Sequence, residues 1–135
     1  MNDEIGSTTP PSGRTNYAHY IGGRPVAPGG GAQFPTVNPY TGDVWATIAR
    51  GDAADVDKAV AAAKAALPGW AGLKPSARGR ALLKLADRIE AHAPRLAAIE
   101  VRDNGKLYAE MSAQTRYIAE WFRYYGGLAD KVEGA

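Results

Sequence analysis

The sequence predicts a β-ribbon over about residues 18–50 followed by four mainly amphipathic helices over about residues 52–133. Three observations carry this. Gly22-Gly23 sits between short apolar segments and accepts the positive backbone dihedrals of a tight two-residue hairpin. Val44, Ala46 and Ile48 alternate with Trp45, Thr47 and Ala49, the period-two signature of a strand. Beyond Asp52 the apolar residues recur at three and four, the signature of helix faces.

The elements follow in order. Met1 to Asn16 is rich in Ser, Thr, Pro and Gly and reads as a disordered N-terminal arm. It has no apolar core of signal-peptide length, and Asp3 and Glu4 oppose the single Arg14, which argues against a transit peptide. Tyr20-Ile21 and Arg24-Pro25-Val26 flank the hairpin glycines. Pro28 and Gly29-Gly30-Gly31 interrupt regular structure, Phe34 opens a second strand segment, and the chain turns at Asn38-Pro39-Tyr40-Thr41-Gly42. Pro25, Pro35 and Pro39 place parts of the ribbon at an edge, because proline donates nothing to a ladder.

Asp52 is the expected cap of the first helix, with Asp55 adding negative charge in the first turn. Val56, Val60, Ala63 and Leu67 form one face, and Pro68-Gly69 is expected to end the helix. Trp70 is expected against that helix end. Ser76 is the expected cap of the second helix, with Leu82, Leu85 and Ile89 as its buried stripe. Pro94 suits the first turn of a third helix, whose apolar side is Leu96 and Ile99, and Asn104-Gly105 supplies a left-handed stop. The last helix begins near Leu107. Met111, Thr115, Ile118, Phe122 and Tyr125 make one stripe, with Tyr117, Trp121, Tyr124 and Leu128 beside it. An arc this wide calls for packing neighbours on more than one side.

Composition removes several functions. Of 135 residues, 16 are Lys or Arg and 14 are Asp or Glu, scattered along the chain, so there is no broad positive field for nucleic acid. No apolar run approaches the roughly 20 residues that span a bilayer, and the chain is expected to be soluble and cytoplasmic. With no cysteine, disulfides, thiolate metal sites and thiol nucleophiles are all absent from this stretch. Gly29 to Gly31 is not framed by a strand and a helix, so it is no dinucleotide fingerprint, and Gly105-Lys106 lacks the earlier glycine of a phosphate loop. His19, in the early hairpin, and His92, at an expected helix end, read as surface or capping residues. Asp52, Asp55 and Asp57 are explained by their place in the opening turns of a helix. No complete catalytic constellation is encoded, so an enzymatic role rests on resemblance.

The pieces that carry a resemblance are Tyr20-Ile21-Gly22-Gly23, Phe34-Pro35-Thr36-Val37-Asn38-Pro39-Tyr40-Thr41-Gly42, Ala54-Asp55-Val56-Asp57-Lys58-Ala59-Val60 and Arg78-Gly79-Arg80 with Leu85-Ala86-Asp87-Arg88-Ile89-Glu90. Ile99-Glu100-Val101-Arg102-Asp103-Asn104-Gly105-Lys106 and Tyr124-Tyr125-Gly126-Gly127-Leu128-Ala129-Asp130-Lys131 complete the set. In this order and spacing the chain resembles the N-terminal segment of the aldehyde dehydrogenase superfamily, from about Tyr20 onward.

The resemblance implies an α/β fold of which this chain is the N-terminal part. A Rossmann-like cofactor domain, a catalytic domain and a strand-built oligomerisation element make up the whole. It also implies oxidation of an aldehyde to a carboxylic acid with NAD or NADP, through a cysteine thiolate and a glutamate-activated water. The positions that match the family's motifs here include neither that cysteine nor that glutamate, so no catalytic or cofactor-binding residue is assigned and the chain alone is expected to be inactive. Thr36, Val37 and Asp103 match positions through which many members bind a monovalent cation by oxygen atoms, backbone carbonyls included. The competing reading is that Thr36 and Asp103 only shape a turn and a helix end. Expected partners are the remainder of the enzyme or a second copy, through the last helix. A noncatalytic helical module that binds a protein through the same aromatic face is the alternative.

Overall fold

The computed structural model describes residues 15–131, which divide into two compact units, residues 15–72 and residues 73–131. Most of the expected N-terminal arm lies outside the described residues. Its last two residues, Thr15 and Asn16, belong instead to a first strand.

The first unit holds five strands and one helix. β1 (Thr15–Tyr17), β4 (Gln33–Val37) and β5 (Val44–Ala49) form a sheet of order β1-β5-β4, with β1 parallel and β4 antiparallel to β5. β2 (His19–Ile21) and β3 (Arg24–Val26) form a separate antiparallel hairpin, so the expected ribbon is two sheets. Gly22 and Gly23 take φ of 61° and 79°, the left-handed pair that a two-residue turn between right-twisted strands demands. The turn between β4 and β5 closes with the Gly42 amide on the Asn38 carbonyl, 2.8 Å, and the Tyr40 amide on the Asn38 side chain, 3.0 Å. Pro35 pairs opposite Thr47 in β4, an edge strand, as its missing donor requires. β5 is the central strand of this sheet.

 

Trp45, Ala46 and Ala49 are all buried, and Tyr17 of β1 meets Trp45 edge-to-face at 6.1 Å between ring centroids.

α1 (Ala53–Ala71) starts as the sequence predicts. The Asp52 side chain accepts from the Asp55 amide at 2.9 Å, and the Asp55 carboxylate reaches back to the Asp52 amide at 3.4 Å, a reciprocal capping box. Asp52→Ala is expected to cost about 1 kcal/mol, read as a lower melting midpoint of the chain. The helix runs through Pro68, which was expected to end it, and carries one more turn to Ala71, so Trp70 lies within α1 and is largely exposed. Proline removes an amide and crowds the preceding turn, but the carbonyl of Pro68 still receives the Gly72 amide at 3.0 Å. The expected face of α1 is uncovered, with Val56 and Leu67 each 59% exposed.

The second unit is a pair of helices, α2 (Pro75–Asn104) and α3 (Tyr108–Leu128). Three helices in the described chain replace the four expected, because Pro94 sits inside α2 and does not begin a new helix. An interior proline costs about 3 kcal/mol, and packing of α3 along α2 offsets it: Ala86, Ala93 and Ala97, on both sides of Pro94, are buried. His92 therefore lies mid-helix. Ser76 is not the cap. Lys74 holds that position without a side-chain bond, and Pro75 opens the helix. Gly105 ends α2 at φ 74°, its amide on the Val101 carbonyl at 2.9 Å.

The buried seam of this pair is small. Gly79, Ala86, Ala93 and Ala97 of α2 and Met111, Thr115, Ala119 and Gly126 of α3 are buried, while Leu85 and Ile118, expected inside, are exposed. Small residues let the two backbones approach. The Thr115 hydroxyl spends its donor on backbone carbonyls, with Met111 at 2.8 Å and Ala93 at 3.3 Å. Among the described residues no helix is long and apolar enough to cross a membrane.

Candidate functional site

Among the described residues no three His, Cys, Asp or Glu side chains group as a metal site. The polar centre of the first unit is Asp55. It is 3% exposed, and its two oxygens accept the Gly29 amide at 3.1 and 2.9 Å. Lys58 Nζ lies 3.2 Å from Oδ1 on the next turn of α1, and His19 Nε2 of β2 lies 3.5 Å from Oδ2. The Gly29 amide, above all, holds the Asp55 carboxyl below the usual carboxylate range; burial works against this, and Lys58 and the Asp52 amide support it. Chemically this is an anchor, a carboxylate that ties a glycine loop to the start of a helix and faces the imidazole of a hairpin strand. The sequence marks Asp55 only as a first-turn charge. The missing signal was the pairing of a capping box with a glycine run upstream, where the Gly31 amide closes on the Pro28 carbonyl and the Gly29 amide turns to Asp55.

Of the residues matched to a cation site, Thr36 and Val37 lie side by side in β4, where the register with β5 shifts. Asp103 lies in the last turn of α2, exposed, in the other unit. His92 lies on α2 and His19 on β2, in different units.

The outer side of α3 is an aromatic row. Tyr117 meets Trp121 edge-on at 5.8 Å, Trp121 stacks on Tyr125 at 6.3 Å, and Tyr125 meets Tyr124 edge-on at 5.2 Å. Tyr117 is 60% and Trp121 50% exposed, and with Glu120 and Tyr124 they line a shallow recess. Rings of this size rarely remain in water as a contiguous patch unless something else covers them. The row is held in place from behind. Arg123 pairs with Glu90 and with Asp87 (3.2 Å) of α2 and with Glu120 (2.8 Å) of its own helix. These three carboxylates, Glu90 most, push its guanidinium further up.

The model of the aldehyde dehydrogenase family matches residues 26–135. The chain belongs to the aldehyde dehydrogenase family. It is 50% identical over 108 residues to the (Z)-2-((N-methylformamido)methylene)-5-hydroxybutyrolactone dehydrogenase of Acinetobacter baylyi, covering 78% of this chain and 22% of that protein. It is 43% identical over 117 residues to the mitochondrial aldehyde dehydrogenase family 2 member B4 of Arabidopsis thaliana, covering 84% and 22%. Among solved structures, that of PnpE in complex with nicotinamide adenine dinucleotide superposes with a TM-score of 0.85 at 44% identity, over 88% of this chain and 25% of that one. The NAD-dependent aldehyde dehydrogenase of Sinorhizobium meliloti superposes with a TM-score of 0.86 at 32% identity, over 90% and 25%. This aldehyde dehydrogenase-family chain thus spans about a fifth to a quarter of the length of the relatives it matches. Its ribbon and helices are the N-terminal part of the family's α/β fold.

Proposed function

We propose that this chain serves as the N-terminal part of an NAD(P)-dependent aldehyde dehydrogenase, an oxidoreductase that converts an aldehyde to a carboxylic acid. The observation that carries the reading is the 50% identity to a dehydrogenase across most of the chain. In this reading the segment contributes a scaffold. The Asp55 anchor and the α2–α3 seam stiffen it, and the aromatic row of α3 docks on the remainder of the enzyme. The nucleophilic thiolate and the activating carboxylate come from sequence that these 135 residues do not include. NAD is favoured as cofactor by relatives whose structures contain it, with NADP as the alternative. Cytoplasmic location and an oligomeric enzyme belong to the same proposal. Self-association through α3 is its consequence for the isolated chain, since an uncovered row of rings finds itself when nothing else is present.

The test uses the chain as it stands, together with the Acinetobacter baylyi relative shortened by the segment this chain matches. The chain alone is expected to give no aldehyde-dependent reduction of NAD or NADP, because it has no thiol to form the covalent intermediate. The two together are expected to co-purify and to reduce NAD. Trp121→Asp should abolish both without changing the helical circular dichroism of the chain. Turnover by the pure chain, or failure of the two pieces to associate, would reject the proposal. Association with unrelated helical proteins but not with the shortened dehydrogenase would favour the noncatalytic module.

A further inference from the structure

His19 presents a buried ring nitrogen to a buried carboxylate without completing a bond. Its Nε2 is shielded from solvent and has no hydrogen-bond partner, 3.5 Å from Asp55 Oδ2. The ring edge lies close against Gly51: a side chain there would begin 3.3 Å from Cε1. The same carboxylate holds the Gly29 amide, so whatever strengthens its position also secures the loop after the hairpin.

The charged groups around this imidazole are few. α1 brings Asp52, Asp55 and Lys58. Residues 27–32 carry no charged side chain, and Arg24 of the hairpin lines a groove together with Lys58. Arg50, next to Gly51, lies over the Phe34 ring, 5.7 Å from its centroid. A neutral imidazole has one bare nitrogen and one N–H, whereas the protonated ring has N–H on both. In the charged form Nε2 can only donate, and Asp55 is the acceptor it faces.

We propose that His19 and Asp55 form a proton-operated clasp: proton uptake by the His19 imidazole completes an Nε2–H to Oδ2 ion pair and tightens the hold of Asp55 on Gly29 and of α1 on the hairpin. This goes beyond the dehydrogenase reading and does not depend on it. Lys58 already shares the carboxylate and repels a second cation, so the gain is modest, about three- to tenfold in local opening. Its sign follows from linkage. A histidine partnered in the folded state contributes stability that is present on the acid side of its titration and is lost as pH rises through it. The clasp has an acid limit as well. Asp55 is held below the usual carboxylate range, so its contribution is fully present above about pH 4 and is lost as pH falls through its lowered folded value, when the acceptor disappears.

Amide hydrogen exchange of the full chain, read by NMR and corrected for the intrinsic pH dependence of exchange, tests this. Across a pH series from about 8 to about 5, protection of the Gly29 amide is expected to rise about three- to tenfold toward the acid end. The Gly105 amide of the helical unit is expected to stay level. His19→Gln should flatten the Gly29 profile while keeping the fold, and Asp55→Asn should flatten it and lower it throughout. A level Gly29 profile in the unaltered chain, an equal rise in His19→Gln, an equal rise at Gly105, or a Gly29 amide unprotected at every pH would each overturn the clasp.

Discussion

Trp45→Ala is expected to destabilise the strand-built unit by about 3–5 kcal/mol, the range for deleting a buried indole. Trp45 is 4% exposed on the central strand β5, and its ring meets Tyr17 of the parallel neighbour. The loss combines transfer of the indole to water, the cavity left behind, and the edge contact that keeps β1 against β5. Urea unfolding followed by circular dichroism gives the size. The small change Trp45→Phe, which keeps an aromatic edge toward Tyr17, should lose less than half as much. Equal losses for the two would show that a ring retained against Tyr17 contributes nothing.

Gly79→Ala is expected to cost about 2 kcal/mol in the helical unit although alanine is the better helix former. A methyl at position 79 would stand 2.5 Å from the Gly126 carbonyl oxygen and 3.2 Å from Ala129 Cβ, and a backbone atom cannot step aside as a side-chain end can. Overpacking of about 3 kcal/mol outweighs the roughly 1 kcal/mol that alanine gains in propensity. Gly127→Ala reverses the sign. Nothing lies within 4 Å of its would-be methyl, it sits inside α3, and its φ is not positive, so a gain of about 1 kcal/mol is expected. Thermal melting of the two variants side by side decides the matter; a stabilising Gly79→Ala would mean the helices do not approach closely at this crossing.

Several rules that depend only on neighbours in the chain held, although Pro68 did not end α1 and Ser76 did not cap α2. Gly22-Gly23 required left-handed dihedrals, Asp52 had a free oxygen for the amides of a helix start, and Gly105 could turn a helix end without a side-chain penalty. Other errors came where distant residues set the balance. Pro94 reads as a helix start because its missing amide is harmless there, yet α3 lies along α2 on both sides of it and holds one continuous helix. Counting large apolar residues led to Leu85 and Ile118 as core, whereas the two backbones come so close that Gly, Ala and Thr fill the seam with Met111 as its one large side chain, and Leu85 and Ile118 are displaced outward.

The candidate site divides along the same line. Thr36, Val37 and Asp103 were named by motif, and the aromatic row of α3 by its helical spacing. The Asp55 anchor was not legible, because its oxygens meet an amide 26 residues earlier and face an imidazole on β2. By itself the sequence determined the family, the Gly22-Gly23 hairpin, the Asp52 cap and the Gly105 stop, since short-range sterics and unpaired amides act within a few residues. Only the tertiary structure decided that a first-turn aspartate is buried, that a proline is tolerated mid-helix and that a seam of small residues is the core, because desolvation and close packing depend on what the rest of the chain brings alongside.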